Sequence, residues 1–299
     1  MKLKFLFLII VLCLFSTSFP VNAAGIFHPD KSNDETLNAL VNSELQKFSV
    51  KTFSDDVTGL SIRYNVYLPE NYSQEKKYPV VFFIADGSAA EKSPEFSLTQ
   101  GYGGLIWTKD ENYIVIVPTY PEMILDDHNG FVVTDYVSLT KRFIDFSLKN
   151  YSIDLNRVYA TGQSMGCMTF LILASEYPEL FTACLFVSGQ WDISKLEGLK
   201  TQKFIYVASN GDDKASKGQS EVINMFSSSG IPYVHFQNVD AENFNTVIDT
   251  SLNNIFVTFK KGSTLPDNNK NYSEHMTSFD YAYKNKIFRA WISAQTKGM

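Results

Sequence analysis

Short, almost uninterrupted apolar runs recur along this chain, separated by longer segments with helical spacing. Residues 78–85 (YPVVFFIA), 113–117, 157–160, 184–187 and 203–207 carry few polar positions, the pattern of strands covered on both faces. Candidate helices over 136–148, 165–176 and 218–229 follow them in alternation, which predicts an α/β fold: a mostly parallel central sheet with helices on both faces. Upstream, β-rich runs at 48–57 and 60–68 flank an Asp/Thr/Gly turn and predict an N-terminal antiparallel hairpin. A further strand is expected at 233–239 and one closing helix over 276–297. The stretch 241–272 holds a β-like core at 254–260 and a polar loop, and reads as an insertion near the functional end.

The first residues break this pattern. Lys2 and Lys4 precede eleven apolar residues, 5–15, and then small residues up to Ala23 and Ala24. Eleven residues fall short of the roughly 20 that span a bilayer, so 1–24 reads as a secretory signal peptide cleaved near Ala23 or Ala24. Leu12 before Cys13 argues against lipidation. The remainder, 25–299, is expected to be one catalytic domain, secreted or extracytoplasmic, with no stable membrane insertion.

The chain has 299 residues, 44% of them hydrophobic, enough for a large core. Its formal charge of −6 becomes −8 without the two leader lysines, which disfavours nucleic acid and anionic membranes as partners. Only Cys167 and Cys184 remain after processing; both lie in apolar stretches, as buried free thiols do. Four scattered histidines and two cysteines make no ligand-spaced cluster, so neither metal nor cofactor is expected. Asn-Tyr-Ser sequons begin at Asn71, Asn150 and Asn271.

Chemistry enters at Gly162-Gln163-Ser164-Met165-Gly166, which joins a predicted strand to a predicted helix. A G-x-S-x-G at such a turn presents the serine hydroxyl at the N-terminus of a helix, and its glycines make room for close-packed backbone. The amide of Met165 is the expected first oxyanion donor. A serine needs a base. With the order nucleophile, acid, histidine, His28 and His128 come too early, His235 lies inside a strand, and His275 is left in a loop before the closing helix. The acid is expected after strand 203–207, at Asp212 or Asp213, with Asp240 and Asp192 as lesser candidates.

Together, Asp154 to Tyr159, Thr161 to Cys167, Tyr177-Pro178, Phe181, Ser188-Gly189 and the entry Tyr67-Leu68-Pro69-Glu70-Asn71-Tyr72 resemble secreted α/β-hydrolase serine esterases. The likeness is to the polyhydroxybutyrate depolymerase and feruloyl or acetyl-xylan esterase type. It covers roughly residues 60–297 and implies the α/β-hydrolase fold and a small-molecule or polysaccharide-linked ester as substrate. Through Gly211-Asp212 it also favours Asp212 over Asp213.

One departure stands out. Where such esterases commonly carry His-Gly-Gly or His-Gly-x-Gly, this chain has Ala85-Asp86-Gly87-Ser88. Gly87 or Ser88 can still supply a backbone donor, but a carboxylate at Asp86 aimed at an oxyanion would raise the barrier. Residues 100–107, with Tyr102 and Trp107, lack both nucleotide-binding glycine patterns and are expected to wall the acyl pocket. Gln163, Gln190 and Trp191 are placed with them as substrate-binding residues. Two rival readings remain: a serine peptidase, and a binding protein on a disabled hydrolase scaffold.

Overall fold

The structure, a computed structural model, describes residues 29–110, 112–266 and 271–298. The segment 1–24 and His28 lie outside the described residues. In chain order the first elements are α1 (Glu35–Glu44), β1 (Ser49–Ser54), β2 (Ser61–Tyr67), β3 (Tyr78–Ile84), α2 (Phe96–Thr99) and β4 (Ile114–Thr119). A small hairpin, β5 (Leu125–Asp126) and β6 (Val132–Val133), leads to α3 (Asp135–Asn150), β7 (Ile153–Gln163), α4 (Met165–Glu176) and β8 (Ala183–Val187). Then come β9 (Phe204–Ser209), α5 (Asp213–Ser228), β10 (Val234–Val239), β11 (Asn254–Phe259), α6 (Glu274–Lys284) and α7 (Lys286–Ala294).

Among the described residues, nine strands form one sheet in the order β1-β2-β4-β3-β7-β8-β9-β11-β10. β2 pairs antiparallel with β1 and with β4, and every other pairing is parallel. This is the α/β-hydrolase architecture, with the expected hairpin at one edge. Side chains alternate across the sheet: Phe82 and Ile84 of β3 join a core with Phe143, Phe170 and Val222 of α3, α4 and α5. Val81 and Phe83 join the opposite core, with Leu37 of α1, Phe279 of α6 and Trp291 of α7. All seven residues of β3 are buried, as its apolar run requires.

Several boundaries differ from expectation. The β-like core at 254–260 belongs to no insertion; β11 lies between β9 and β10, buried along its whole length. The closing helix is two helices, because the Asn285 side chain accepts from the amides of Ile287 and Phe288 and caps a fresh start. α5 begins five residues before Gly218, with Asp212 as its cap. α1 lies before the first strand expected from the sequence, and is capped by Asp34. His275 sits not in a loop but in the first turn of α6, whose cap, Ser273, accepts from the His275 amide.

Candidate active site

The carboxyl ends of β7 and β9 and the start of α6 converge at one edge of the sheet, where ligands of open α/β folds bind. Ser164 links β7 to α4 with φ 50 and ψ −115. A non-glycine residue there is strained by about 1–3 kcal/mol, and the surroundings hold it: its amide donates to Val187 O, 3.1 Å away. The residues two positions to either side must be glycine, since a Cβ on Gly162 would strike the Gly166 backbone and one on Gly166 the Ile84 carbonyl. Met165 opens α4, so its amide is among the first-turn donors that lack a partner within the helix.

His275 Nε2 lies 2.8 Å from Ser164 Oγ, and His275 Nδ1 lies 2.6 Å from Asp212 Oδ2. The other oxygen of Asp212 accepts from the Ala215 amide at 3.2 Å, which fixes the carboxylate while it caps α5. Ser164, His275 and Asp212 therefore form one hydrogen-bonded chain. Asp213 is the exposed first residue of α5. Asp240 and Asp192 serve local turns, and His235 is bound to Thr258 at 2.7 Å on β10. Burial lowers the His235 pKa.

Glu274, beside the histidine, escapes notice in the sequence. Its buried carboxylate accepts from Ser209 Oγ at 2.7 Å, the Gly262 amide at 2.7 Å and Thr264 Oγ1 at 3.3 Å. Gly211 packs so closely on it that no Cβ would fit there. One carboxylate thus joins the start of α6, the loop bearing Asp212 and the loop after β11.

The oxyanion loop corrects several expectations. Asp86 is buried and turns its carboxylate back into the protein, accepting from the Ser88 amide at 3.0 Å and from Gln163 Nε2 at 2.7 Å. The Ser88 amide is thereby engaged, leaving Gly87 as the loop's open candidate, and the Gln163 side chain is tied to this loop. Met123 packs directly on Gly87.

Tyr102 and Trp107 are buried in the sheet's second core instead of walling a pocket. Tyr102 hydroxyl donates to Asp34 at 2.8 Å, and Trp107 is wholly buried against Tyr113. The glycine-rich segment packs into the sheet's second core because α1, unread in the sequence, covers it. Gln190 is half-buried and donates to Asp127; Trp191 is buried with Phe131 edge-on against its ring.

Cys167 and Cys184 are buried, unbridged thiols whose pKa values burial pushes up. One group among the described residues, Asp126, Asp127 and His128, gathers possible metal-ligand atoms within 4.8 Å. Asp127 already binds His128 at 2.8 Å, Lys214 at 3.1 Å and Gln190, so these contacts are those of a loop anchor. No helix among the described residues is long and apolar enough to cross a membrane.

Comparison with known proteins places this chain in a family. Residues 56–221 match the Esterase family, described as "Putative esterase". The chain is 26% identical over 152 residues to acetylxylan esterase A of Aspergillus ficuum, covering 47% of this chain and 46% of that protein. It is 25% identical over 180 residues to acetylxylan esterase A of Talaromyces purpureogenus, covering 58% and 46%. The match thus spans about half the length of these curated relatives. Among solved structures, a thermostable esterase superposes with TM-score 0.70 at 21% identity, over 85% of this chain and 64% of that one. A feruloyl esterase module from Clostridium thermocellum complexed with sinapinate gives 0.50 at 14%, over 79% and 87%. With more than half its length matched by the family model, the chain belongs to the Esterase family.

Proposed function

We propose that this protein hydrolyses carboxylic esters through an acyl-enzyme on Ser164. The observation that carries the reading is the hydrogen-bonded chain from Asp212 through His275 to Ser164, at 2.6 and 2.8 Å. His275 Nε2 takes the hydroxyl proton as Ser164 Oγ attacks the ester carbonyl. Asp212 holds the imidazole with Nδ1 protonated and stabilises the imidazolium. The amides of Met165 and Gly87 receive the oxyanion at the positive end of α4. The imidazolium then returns its proton to the departing alcohol oxygen. Water, deprotonated by the same histidine, attacks the acyl-enzyme and releases the acid and free Ser164.

Family membership and the esterase names of the matched proteins support an ester over an amide. Acetyl or feruloyl groups on polysaccharide, or a hydroxyalkanoate ester, are the substrates this reading favours. The 1–24 leader, removed on export, would place the enzyme outside the cytoplasm with 25–299 as its catalytic domain. The test is Ser164→Ala assayed on p-nitrophenyl acetate with folding checked by circular dichroism. Loss of at least ~10³-fold in kcat is expected; near-complete retention in a folded variant overturns the reading.

A further inference from the structure

The hairpin 121–134 plays no part in the chemistry above, yet it is fixed to the candidate active site at three points. Met123 packs on Gly87 of the oxyanion loop. Asp127 binds Gln190, just beyond β8, and Lys214, two residues after Asp212. Phe131 sets its ring edge-on to Trp191 at a centroid distance of 5.2 Å. Two of these anchors are also apolar surface open to solvent, Met123 51% exposed and Phe131 40%; Val132 and Val133, 54% and 47% exposed, point to opposite faces of β6.

Large apolar side chains exposed beside a candidate active site mark a binding surface, whereas scattered ones do not. Strain points the same way. Gly130 and Phe131 have φ of 94 and 57, and a left-handed bulky residue persists only where its surroundings hold it. Here the contact with Trp191 and the Asp127 anchor do so. Met123 touches Gly87 of the oxyanion loop and Phe131 touches Trp191, next to Gln190, so what covers them is a molecule already held at Ser164.

We propose that this hairpin is the subsite for the apolar arm of the ester, with Met123 and Phe131 as its specificity-determining residues. Asp127 acts through them as a positioning residue, by holding the hairpin against Gln190 and Lys214. The inference rests on the ester-hydrolase reading and adds the substrate class: esters with one extended alkyl or aryl arm, preferred over esters small on both sides. Water expelled from Met123 and Phe131 by such an arm strengthens binding in proportion to the apolar area covered.

The experiment measures kcat/KM for two ester series with the full chain. One keeps p-nitrophenol and lengthens the acyl group from acetate to octanoate; the other keeps acetate and enlarges the alcohol from methyl to 2-naphthyl. Met123→Ala and Phe131→Ala should lower the large-to-small ratio about tenfold in one series, and that series identifies the arm. Leu155→Ser, an exposed apolar residue near the opposite end of β7 from Ser164, should keep both ratios. Circular dichroism verifies folding; Met123, half exposed, is the variant that tolerates truncation if Phe131→Ala does not fold. Ratios unchanged in both series, or a uniform fall across each, overturn the subsite while Ser164-dependent hydrolysis stands. Wild-type protein inert towards every ester overturns the parent reading, and the subsite with it.

Discussion

The carboxylate of Asp86 accepts a hydrogen bond of 2.7 Å from the side chain of Gln163, the residue immediately before Ser164. That bond, with the one from the Ser88 amide, engages the negative charge of the oxyanion loop with donors inside the protein. It also ties the loop to the strand that carries the nucleophile. An acid that reads as a threat to the chemistry is thereby part of the scaffold supporting it.

Asp86→Ala should leave the Ser88 amide and the Gln163 carboxamide without this partner, costing about 1–3 kcal/mol of stability. It should also loosen the loop that bears Gly87, with kcat on a short ester falling roughly 10- to 100-fold. Asp86→Asn keeps an acceptor for the Ser88 amide, and the Gln163 amide can turn to meet the new donor, so its losses should be much smaller. Paired melting curves and kcat values check this. Equal behaviour of the two variants would mean the hydrogen bonds do not matter.

Asp212 carries two loads that a single substitution can separate. Asparagine keeps the cap on Ala215 but can donate to His275 Nδ1, which selects the wrong tautomer. Asp212→Asn should thus lower kcat by ~10³- to 10⁴-fold with Tm nearly unchanged, whereas Asp212→Ala should also lose a cap worth about 1 kcal/mol. Asp213→Asn, at an exposed position, should leave kcat within about twofold. A large loss in Asp213→Asn and none in Asp212→Asn would reassign the acid.

These residues differ in how openly the sequence displays them. The strands are legible because both faces of the sheet are covered, which leaves runs such as Tyr78–Ile84 with hardly a polar position. Ser164 is legible because the turn demands glycines at 162 and 166. Tyr102 and Trp107 mislead because their destination is set by α1 and by Asp34, 68 residues before Tyr102. The break at Asn285 is local chemistry overriding helical periodicity. Asp127, Met123 and Phe131 carry no local signal; their places come from contacts with residues brought near only by the fold.

Glu274 offers a test of how the histidine helix is seated. Glu274→Ala would strip acceptors from Ser209, the Gly262 amide and Thr264 in a buried setting. The expected cost is about 2–3 kcal/mol, seen as a lowered urea midpoint. Glu274→Gln keeps the volume and one acceptor, and should lose less. If both variants unfold at the wild-type midpoint, the carboxylate does not clamp these loops.

The two buried thiols predict the alkaline limb of stability. Burial raises both folded-state pKa values above those of the unfolded chain. Below the unfolded value of about 8.5 both states keep their protons, and the stabilising contribution is complete. Above it the unfolded chain ionises while the native thiols cannot follow, so the unfolded state binds fewer protons and stability falls as pH rises. Each thiol should contribute a slope approaching about 1.4 kcal/mol per pH unit. Urea unfolding of the wild type from pH 8 to 9, below the range where buried tyrosines such as Tyr120 and Tyr206 add to the effect, should show the decline, and Cys184→Ala should flatten it. General charge repulsion would act on both proteins alike, so identical slopes in the two would show that the thiols are not its source.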